Sequence, residues 1–519
     1  MLFHEPAFLY LFLPVTLAFY YVLHKTAEQS TIVVFLSLAS LFFYGWWNPR
    51  LVPLLVGSVL FNFFLGDLLQ RFLARSRKSR WLLACGIGGN FALLVVFKYL
   101  GFVAGTLNSM SGLELSVPQM DLPLGISFFT FLQIAYLVDC YRGEVRNPGF
   151  AKYVLFVTFF PHLIAGPLVH HSELIPQFRR KVSEIWENLF VGATIFFIGV
   201  FKKVVIARQA GIWADAVFDG AAAGDVPTLF ASWIGVITFA FEIYFDFSAY
   251  SDMAIGLSRV FGIQLPVNFA SPYKSSSIIE FWHRWHVTLS RFFREYLYIP
   301  LGGNRCGRAR HYLNVMVVML LAGLWHGADW KFVLWGGLHG TFLTVNHLWS
   351  SAWKASHWPN GFLPRWFSVF LTFLAVVVAW VPFRAASLTV AGTIFNGLAG
   401  NNGIVLPSHY EGLLDRYGVH ATHYGISFGA LPTYGGGWQL FWLAAGFFWV
   451  WFLPATQEIM RNYKPALEVG HLPAPYSPLS GWIVWRPYRL VALLSGVCSA
   501  YLAFRAIQGQ PGEFIYFKF

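Results

Sequence analysis

Long apolar runs alternate with short polar or basic breaks along the whole chain, and that pattern predicts the architecture before any single residue does. A helix needs about 20 mostly apolar residues to cross the hydrocarbon core of a bilayer. Runs near that length recur at residues 7–23, 31–47, 51–69, 81–103, 122–138, 154–169, 189–206, 229–248, 313–325, 332–349, 366–381, 438–453 and 490–504. They predict an all-α polytopic membrane protein with about 11–13 membrane helices, some of them broken or re-entrant. The run at 154–169 holds Pro161, His162, Gly166 and Pro167. Helix breakers stay at membrane depth only where protein or a wet cavity covers the freed backbone groups, so this segment is expected to break or re-enter. The run at 313–325 is short enough to stop partway. Residues 251–311 mix aromatics with arginines and read as interfacial helices plus a loop at 300–305. Residues 384–437 are rich in Gly, His and Pro and read as a non-spanning excursion. No linker separates domains, so residues 1–519 read as one membrane domain.

Composition agrees with the pattern. The chain is 57% hydrophobic and 12% charged, against about 25% charged residues in soluble domains. A net charge of +12 could suggest nucleic acid. The basic residues, however, sit in short clusters between apolar runs, as positive-inside topology requires, and no nucleic-acid partner is expected. Arg71, Arg75, Arg77, Lys78 and Arg80 form a loop free of acidic residues and are assigned to the cytoplasm. Counting spans then puts 106–121, with Glu114 and Asp121, and 210–227, with Asp215, Asp219 and Asp225, on the outside. Residues 252–311 fall inside and carry Lys274, Arg284, Arg291, Arg294, Arg305, Arg308 and Arg310. Lys202, Lys203 and Arg208, near the outer end of a span, do not fit this scheme. The first apolar run lacks a basic n-region and a small-residue cleavage site and reads as a retained span. Cys85, Cys140, Cys306 and Cys498 are far apart, which indicates neither a disulfide framework nor a zinc site. No P-loop, nucleophile elbow or dinucleotide fingerprint occurs, so ATPase, serine-hydrolase and dehydrogenase readings have no support.

Chemistry concentrates in three segments. An imidazole that can change charge near neutral pH is costly in an apolar bundle unless it has partners or a task. The segment 280–290, Glu-Phe-Trp-His-Arg-Trp-His-Val-Thr-Leu-Ser, has His283 and His286 at a spacing that shares one face of a helix. No carboxylate or cysteine nearby completes a metal set. The second segment is Gly323-Leu-Trp-His326-Gly327, followed by Trp335-Gly-Gly-Leu-His339-Gly340. Glycines beside a histidine let a substrate or another backbone come close; a structural histidine bonded to a neighbouring helix is the alternative. The third is 244–256, where Asp246 and Asp252 at the end of a span either orient the histidines or pair with arginines such as Arg284. Residues 159–167 are better suited to shaping a cavity than to chemistry.

Taken together, segments 280–290, 298–305 (Tyr-Ile-Pro-Leu-Gly-Gly-Asn-Arg) and 323–327 resemble the signature of the membrane-bound O-acyltransferase family. Segments 122–128, 160–167 and 244–256 resemble its bacterial branch. That branch includes the alginate O-acetylation membrane protein and the D-alanyl transfer protein of teichoic acid modification. The resemblance runs from the first span to about Arg384. It implies a helical bundle around a funnel or tunnel, with His326 as the essential histidine, a general base, and His286 as the second one. Lipid-acylating eukaryotic relatives carry Asn or Asp at the position of His286, so the histidine favours the polysaccharide or cell-wall branch. Arg284, Trp285, Trp325, Asp252 and His339 are expected to line the substrate site, with no metal. The expected donor is a cytoplasmic thioester, most simply acetyl-CoA, whose phosphates meet the basic region 284–310. The expected acceptor is an exported polysaccharide such as alginate or acetylated cellulose, reached with a periplasmic acetyltransferase partner from the bacterial inner membrane. Acyl transfer to a lipid, teichoic acid or protein, and a proton-coupled transporter, are the competing readings.

Overall fold

The computed structural model describes residues 1–72, 76–118, 120–145, 148–355, 364–417, 425–429, 436–467, 477 and 479–486. The expected span at 490–504 lies outside the described residues. A π-helical turn, Phe8–Phe12, leads into α1 (Leu13–Thr26), then α2 (Gln29–Gly45) and α3 (Val52–Arg71). Ser76 starts α4 (Arg77–Leu94) by accepting the Ser79 amide at 3.2 Å, the usual use of a serine at that position. The helix continues through a π-helical stretch, Val95–Tyr99, into α5 (Leu100–Ser111), a single helical run of 35 residues. Helix α6 (Ile126–Arg142) is buried on nearly every face.

The segment at 154–169 is broken. Helix α7 (Phe150–Thr158) ends where Phe159 leaves helical conformation, and the short α8 (Phe160–Leu163) restarts over Pro161. After α9 (His171–Leu174), α10 (Ile185–Phe201) runs through a third π-helical segment, Lys202–Ala207, into α11 (Arg208–Ala223). Residues 210–223, read from sequence as an outer loop, are therefore helical. The central element is α12 (Leu229–Val260), 32 residues long. At 1.5 Å per residue it spans about 48 Å, well beyond the roughly 30 Å hydrocarbon core, so it overruns the boundary expected near Ser248. Residues 251–260 belong to this helix and not to an interfacial element.

Helices α13 (Ile278–Arg284) and α14 (Val287–Phe293) follow, then a π-helical turn (Arg294–Tyr298), α15 (Arg308–His326), α16 (Trp330–Ala355) and α17 (Arg365–Arg384). The stretch beyond Arg384 holds α18 (Leu388–Leu398), β1 (Ile404–Pro407), α19 (Glu411–Arg416) and β2 (Ile426–Gly429). The two strands pair in parallel, Ile404 opposite Ile426. Helices α20 (Gly436–Phe452) and α21 (Thr456–Ile459) complete the described elements. Six helical runs among the described residues are long and apolar enough to cross a membrane. The protein is an all-α, multi-pass membrane protein.

Helix α12 packs along α10 because small residues let the backbones meet. A Cβ on Gly192 would lie 2.6 Å from the Gly256 carbonyl oxygen, and one on Gly199 2.7 Å from that of Ala249. Such positions are the usual contact points of membrane helices. This contact resolves the misfit of Lys202 and Lys203. Lys202 bonds Asp252 at 2.6 Å and Lys203 bonds Asp246 at 2.5 Å, all four being largely buried. The lysines belong to ion pairs inside the bundle, not to a loop, and positive-inside counting does not apply to them.

Candidate active site

Helix α15 ends at His326, and its hairpin with α16 sets the ring. A Cβ on Gly323 would sit 2.1 Å from the Phe332 carbonyl oxygen, and one on Gly336 2.3 Å from that of Met319. Of the two uses open to these glycines, close approach of another backbone is the one observed. The His326 side chain is directed among rings: Trp325 at 4.8 Å between centroids, Trp335 at 5.0 Å and Phe383 at 5.3 Å. His326 is 6% exposed. His339 lies behind Trp335 at 4.9 Å, with Trp282 at 5.1 Å on its other side.

His286 arrives by a different route from the one its spacing suggests. Helix α13 stops at Arg284, Trp285 is extended, and His286 adopts φ 43°, ψ 54° before α14 begins. His283 is exposed while His286 is fully buried, so the two do not share a helical face. A left-handed backbone at a residue other than glycine is strained and persists only when its surroundings fix it. Here Asn268 does so. Its carbonyl oxygen accepts the Val287 amide at 2.9 Å, and its side-chain oxygen lies 3.2 Å from His286 Nδ1. The same oxygen accepts the Thr288 hydroxyl at 2.7 Å, and Thr288 Oγ1 accepts the Leu168 amide at 3.0 Å. With Asn268 Oδ1 as acceptor, the neutral imidazole carries its proton on Nδ1 and presents Nε2 as a lone pair. The His286 ring lies 6.1 Å from that of Trp325, which also touches His326. Two distant sequence segments thus meet at one indole.

The remaining expected residues divide. Trp325 and His339 belong to this ring set. Trp285 packs one layer behind it, against Trp380 at 5.0 Å, and Trp380 stacks on Trp335 at 5.8 Å. Arg284 does not face a solvent-borne phosphate as expected. It is 1% exposed and donates to Glu280 Oε1 at 3.0 Å and to the Ala270 carbonyl at 2.9 Å. Asp252 neither orients a histidine nor pairs with Arg284; besides Lys202 it accepts from Thr456 at 2.6 Å and Gln457 at 2.9 Å.

Sequence reasoning missed Lys98. From the π-helical stretch after α4, its Nζ donates to the Trp325 carbonyl at 2.5 Å and reaches the His326 carbonyl at 3.4 Å and Ser127 Oγ at 3.2 Å. The neighbouring Tyr99 hydroxyl donates to the Leu324 carbonyl at 2.9 Å. A cation on the last carbonyls of a helix satisfies orphan acceptors and complements the helix dipole. The available signal was an ionisable residue inside an apolar run, which in a membrane protein indicates a function by default. Among the described residues, buried polar atoms without a hydrogen-bond partner include His286 Nε2, Trp325 Nε1, Trp335 Nε1 and both nitrogens of His339. Buried polar groups are nearly always partnered, so these atoms have hydrogen-bonding capacity to spare beside the two histidines.

A second polar cluster lies at the far end of α6. Tyr296 donates its hydroxyl to Asp139, whose oxygens are 3.0 and 2.9 Å away, and lies 3.2 Å from His170 Nδ1. Arg291 grips Glu173 at 2.5 and 3.0 Å. Burial alone would raise the Glu173 carboxyl, but the Arg291 guanidinium outweighs it and holds the carboxyl below its ordinary range. Burial, aided by Arg291, lowers His170. From Ser127, at the level of His326, to Asp139 the helix rises about 18 Å.

The model of the membrane-bound O-acyltransferase family matches residues 8–380, which contain both histidines and Lys98. The chain belongs to that family. It is 42% identical over 434 residues to a peptidoglycan O-acetyltransferase of Helicobacter pylori, covering 78% of this chain and 81% of that protein. A probable alginate O-acetylase of Pseudomonas putida is 40% identical, covering 77% and 80%. A teichoic acid D-alanyltransferase of Streptococcus thermophilus is 26% identical over half of this chain. This membrane-bound O-acyltransferase is an enzyme of acyl transfer, and its matched region ends close to the Phe383 ring that touches His326.

Proposed function

We propose that this O-acyltransferase takes an acetyl group from a cytoplasmic thioester, acetyl-CoA, and passes it toward hydroxyls of an exported glycan at the bacterial inner membrane. The names of its relatives support acetyl as the group, and peptidoglycan and alginate as the acceptor class. The observation that carries the chemistry is the convergence of His326 and His286 on Trp325, beside the unpartnered His286 Nε2, Trp325 Nε1 and Trp335 Nε1. In the reaction His326 takes the proton of the attacking hydroxyl as its oxygen bonds to the acetyl carbon. The carbon–sulfur bond breaks, and the thiolate leaves with that proton. The indole N–H of Trp325 is a donor suited to the developing oxyanion, and the Nε2 lone pair of His286 is suited to accept a hydrogen bond from the bound donor or acceptor. Since Arg284 is occupied, the exposed Arg294, Arg305, Arg308 and Arg310 are the cations available to donor phosphates. A glycan outside and a donor inside call for a periplasmic acetyltransferase partner to finish the transfer.

The test supplies radiolabelled acetyl-CoA to membranes holding the protein and asks which product gains label. Label in a glycan supports the reading; label confined to lipid or protein overturns the acceptor class. A general base contributes about 10²–10⁴-fold, so His326→Ala is expected to lose at least about 100-fold while remaining inserted. Full transfer by that variant would remove His326 from the mechanism.

A further inference from the structure

On the membrane-facing wall, away from the histidines, α17 and α20 part to leave a continuous crevice. One section, about 350 Å³, is lined by Trp233, Ile237, Phe373, Val377 and Phe447. A second section, about 490 Å³, continues from it past the shared Phe370 and Trp451 to Val369, Trp366, Phe452, Lys274 and Arg365. Aromatic and aliphatic side chains line nearly all of it, and both cations stand at one end.

We propose that this crevice is a binding site for one anionic glycerophospholipid, with an acyl chain along Phe370, Phe373 and Trp451 and the phosphate at Arg365 and Lys274. Three features of that end suit a phosphate. Arg365 opens the 20-residue α17, so the first amides of the helix and its dipole favour an anion beside the guanidinium. Lys274 Nζ donates to the Leu453 carbonyl and lies 3.5 Å from Ser271 Oγ; an ammonium has three donors. Glu458 is the acidic neighbour of Lys274, but burial outweighs it and lowers the lysine to about 8, so a second anion would be taken up favourably. Trp366, 72% exposed, sits at the same level, as interfacial tryptophans do.

Length and sidedness argue for a lipid. From Arg365 to Val377 the helix rises about 18 Å, close to the roughly 15 Å of one leaflet's hydrocarbon. The other end of α17 carries Arg384, which binds Asp215 and Asp219 on the acidic side of the protein. The cationic end is therefore on the side assigned to the cytoplasm, where anionic headgroups attract basic residues. A partner's membrane helix would fill the crevice but bring no anion to Lys274 and Arg365. The site stands independently of the reaction assigned to the histidines.

The experiment titrates the purified full-length protein in detergent with phosphatidylglycerol or phosphatidylcholine of identical chains and counts retained lipids by native mass spectrometry. Wild type is expected to keep one phosphatidylglycerol at least about tenfold more strongly than phosphatidylcholine. Arg365→Gln and Lys274→Gln should reduce that preference, and Val369→Trp, which fills the crevice, should lower retention of both lipids. Variants are compared only where they elute and melt like wild type; Arg365 and Val369 lie at the rim, so at least these two report. Equal retention of the two lipids, or phosphatidylglycerol kept by both Val369→Trp and Arg365→Gln, overturns the proposal. Excess inorganic phosphate should not displace the lipid; if phosphate alone displaces it, the site is one for free anions and the lipid assignment falls.

Discussion

Replacing Lys98 by Met tests whether His326, the proposed general base, is held from behind. The ammonium touches the carbonyls of Trp325 and His326 and the hydroxyl of Ser127. Hydrogen bonds to a charged group contribute about 1.5–3 kcal/mol each, but burying the ammonium costs several kcal/mol. The two effects oppose each other, so the folded state is expected to change by no more than about 2 kcal/mol. Position is the larger consequence. Without the cation, the last turn of α15 loses its anchor at His326. A displacement of about 1 Å at a reacting group costs on the order of 100-fold. Lys98→Met is therefore expected to lower kcat by about 10–100-fold with the KM for acetyl-CoA little changed. Lys98→Arg should recover part of it. Tyr99→Phe removes a neutral hydrogen bond from the same turn, worth about 0.5–1.5 kcal/mol, and should leave kcat within about threefold. Transfer of labelled acetate by the reconstituted protein, read beside thermal unfolding, measures both quantities. A Lys98→Met protein with wild-type kcat, or a Tyr99→Phe protein equally impaired, would refute a positioning role for the charge.

Other expectations follow from particular contacts. Asn268→Leu leaves His286 Nδ1 and the Thr288 hydroxyl without their acceptor; it should destabilise by about 1–3 kcal/mol and depress transfer, and unchanged activity in a folded variant would free His286 from this tautomer. Lys202→Met breaks a buried pair with Asp252, expected to cost about 3–5 kcal/mol, whereas Lys202→Met with Asp252→Leu should regain most of it; thermal unfolding of the set decides. Glu173 is held below its ordinary pKa by Arg291, so its contribution is present above the unfolded value of about 4.3 and is lost as pH falls through the lower folded value. Melting temperature should accordingly fall on acidification in that window, less steeply for Glu173→Gln; parallel curves would count against the pair.

What the sequence made legible follows from the range of the physics involved. Hydropathy depends on composition within a window, and the runs at 31–47, 51–69 and 366–381 coincide closely with α2, α3 and α17. Ends were less legible, because α11 and the last turns of α12 carry Asp215, Asp219, Asp252 and Arg259, which lower hydropathy while the helix persists. Charge counting failed at Lys202 and Lys203 for a related reason: it treats every cation as a loop residue, and only the partner on α12 reveals an internal pair. The face shared by His283 and His286 was misread since no glycine or proline marks the break at Trp285. That break is imposed by Asn268, a long-range contact with no local signature. Lys98 and His326 are related in the same way, being joined across more than two hundred positions. The histidines themselves could be picked out one at a time, because an imidazole in apolar surroundings is costly wherever it lies. Their supports could not, since an asparagine or a lysine gains its meaning only from the carbonyl or ring that the fold brings to it.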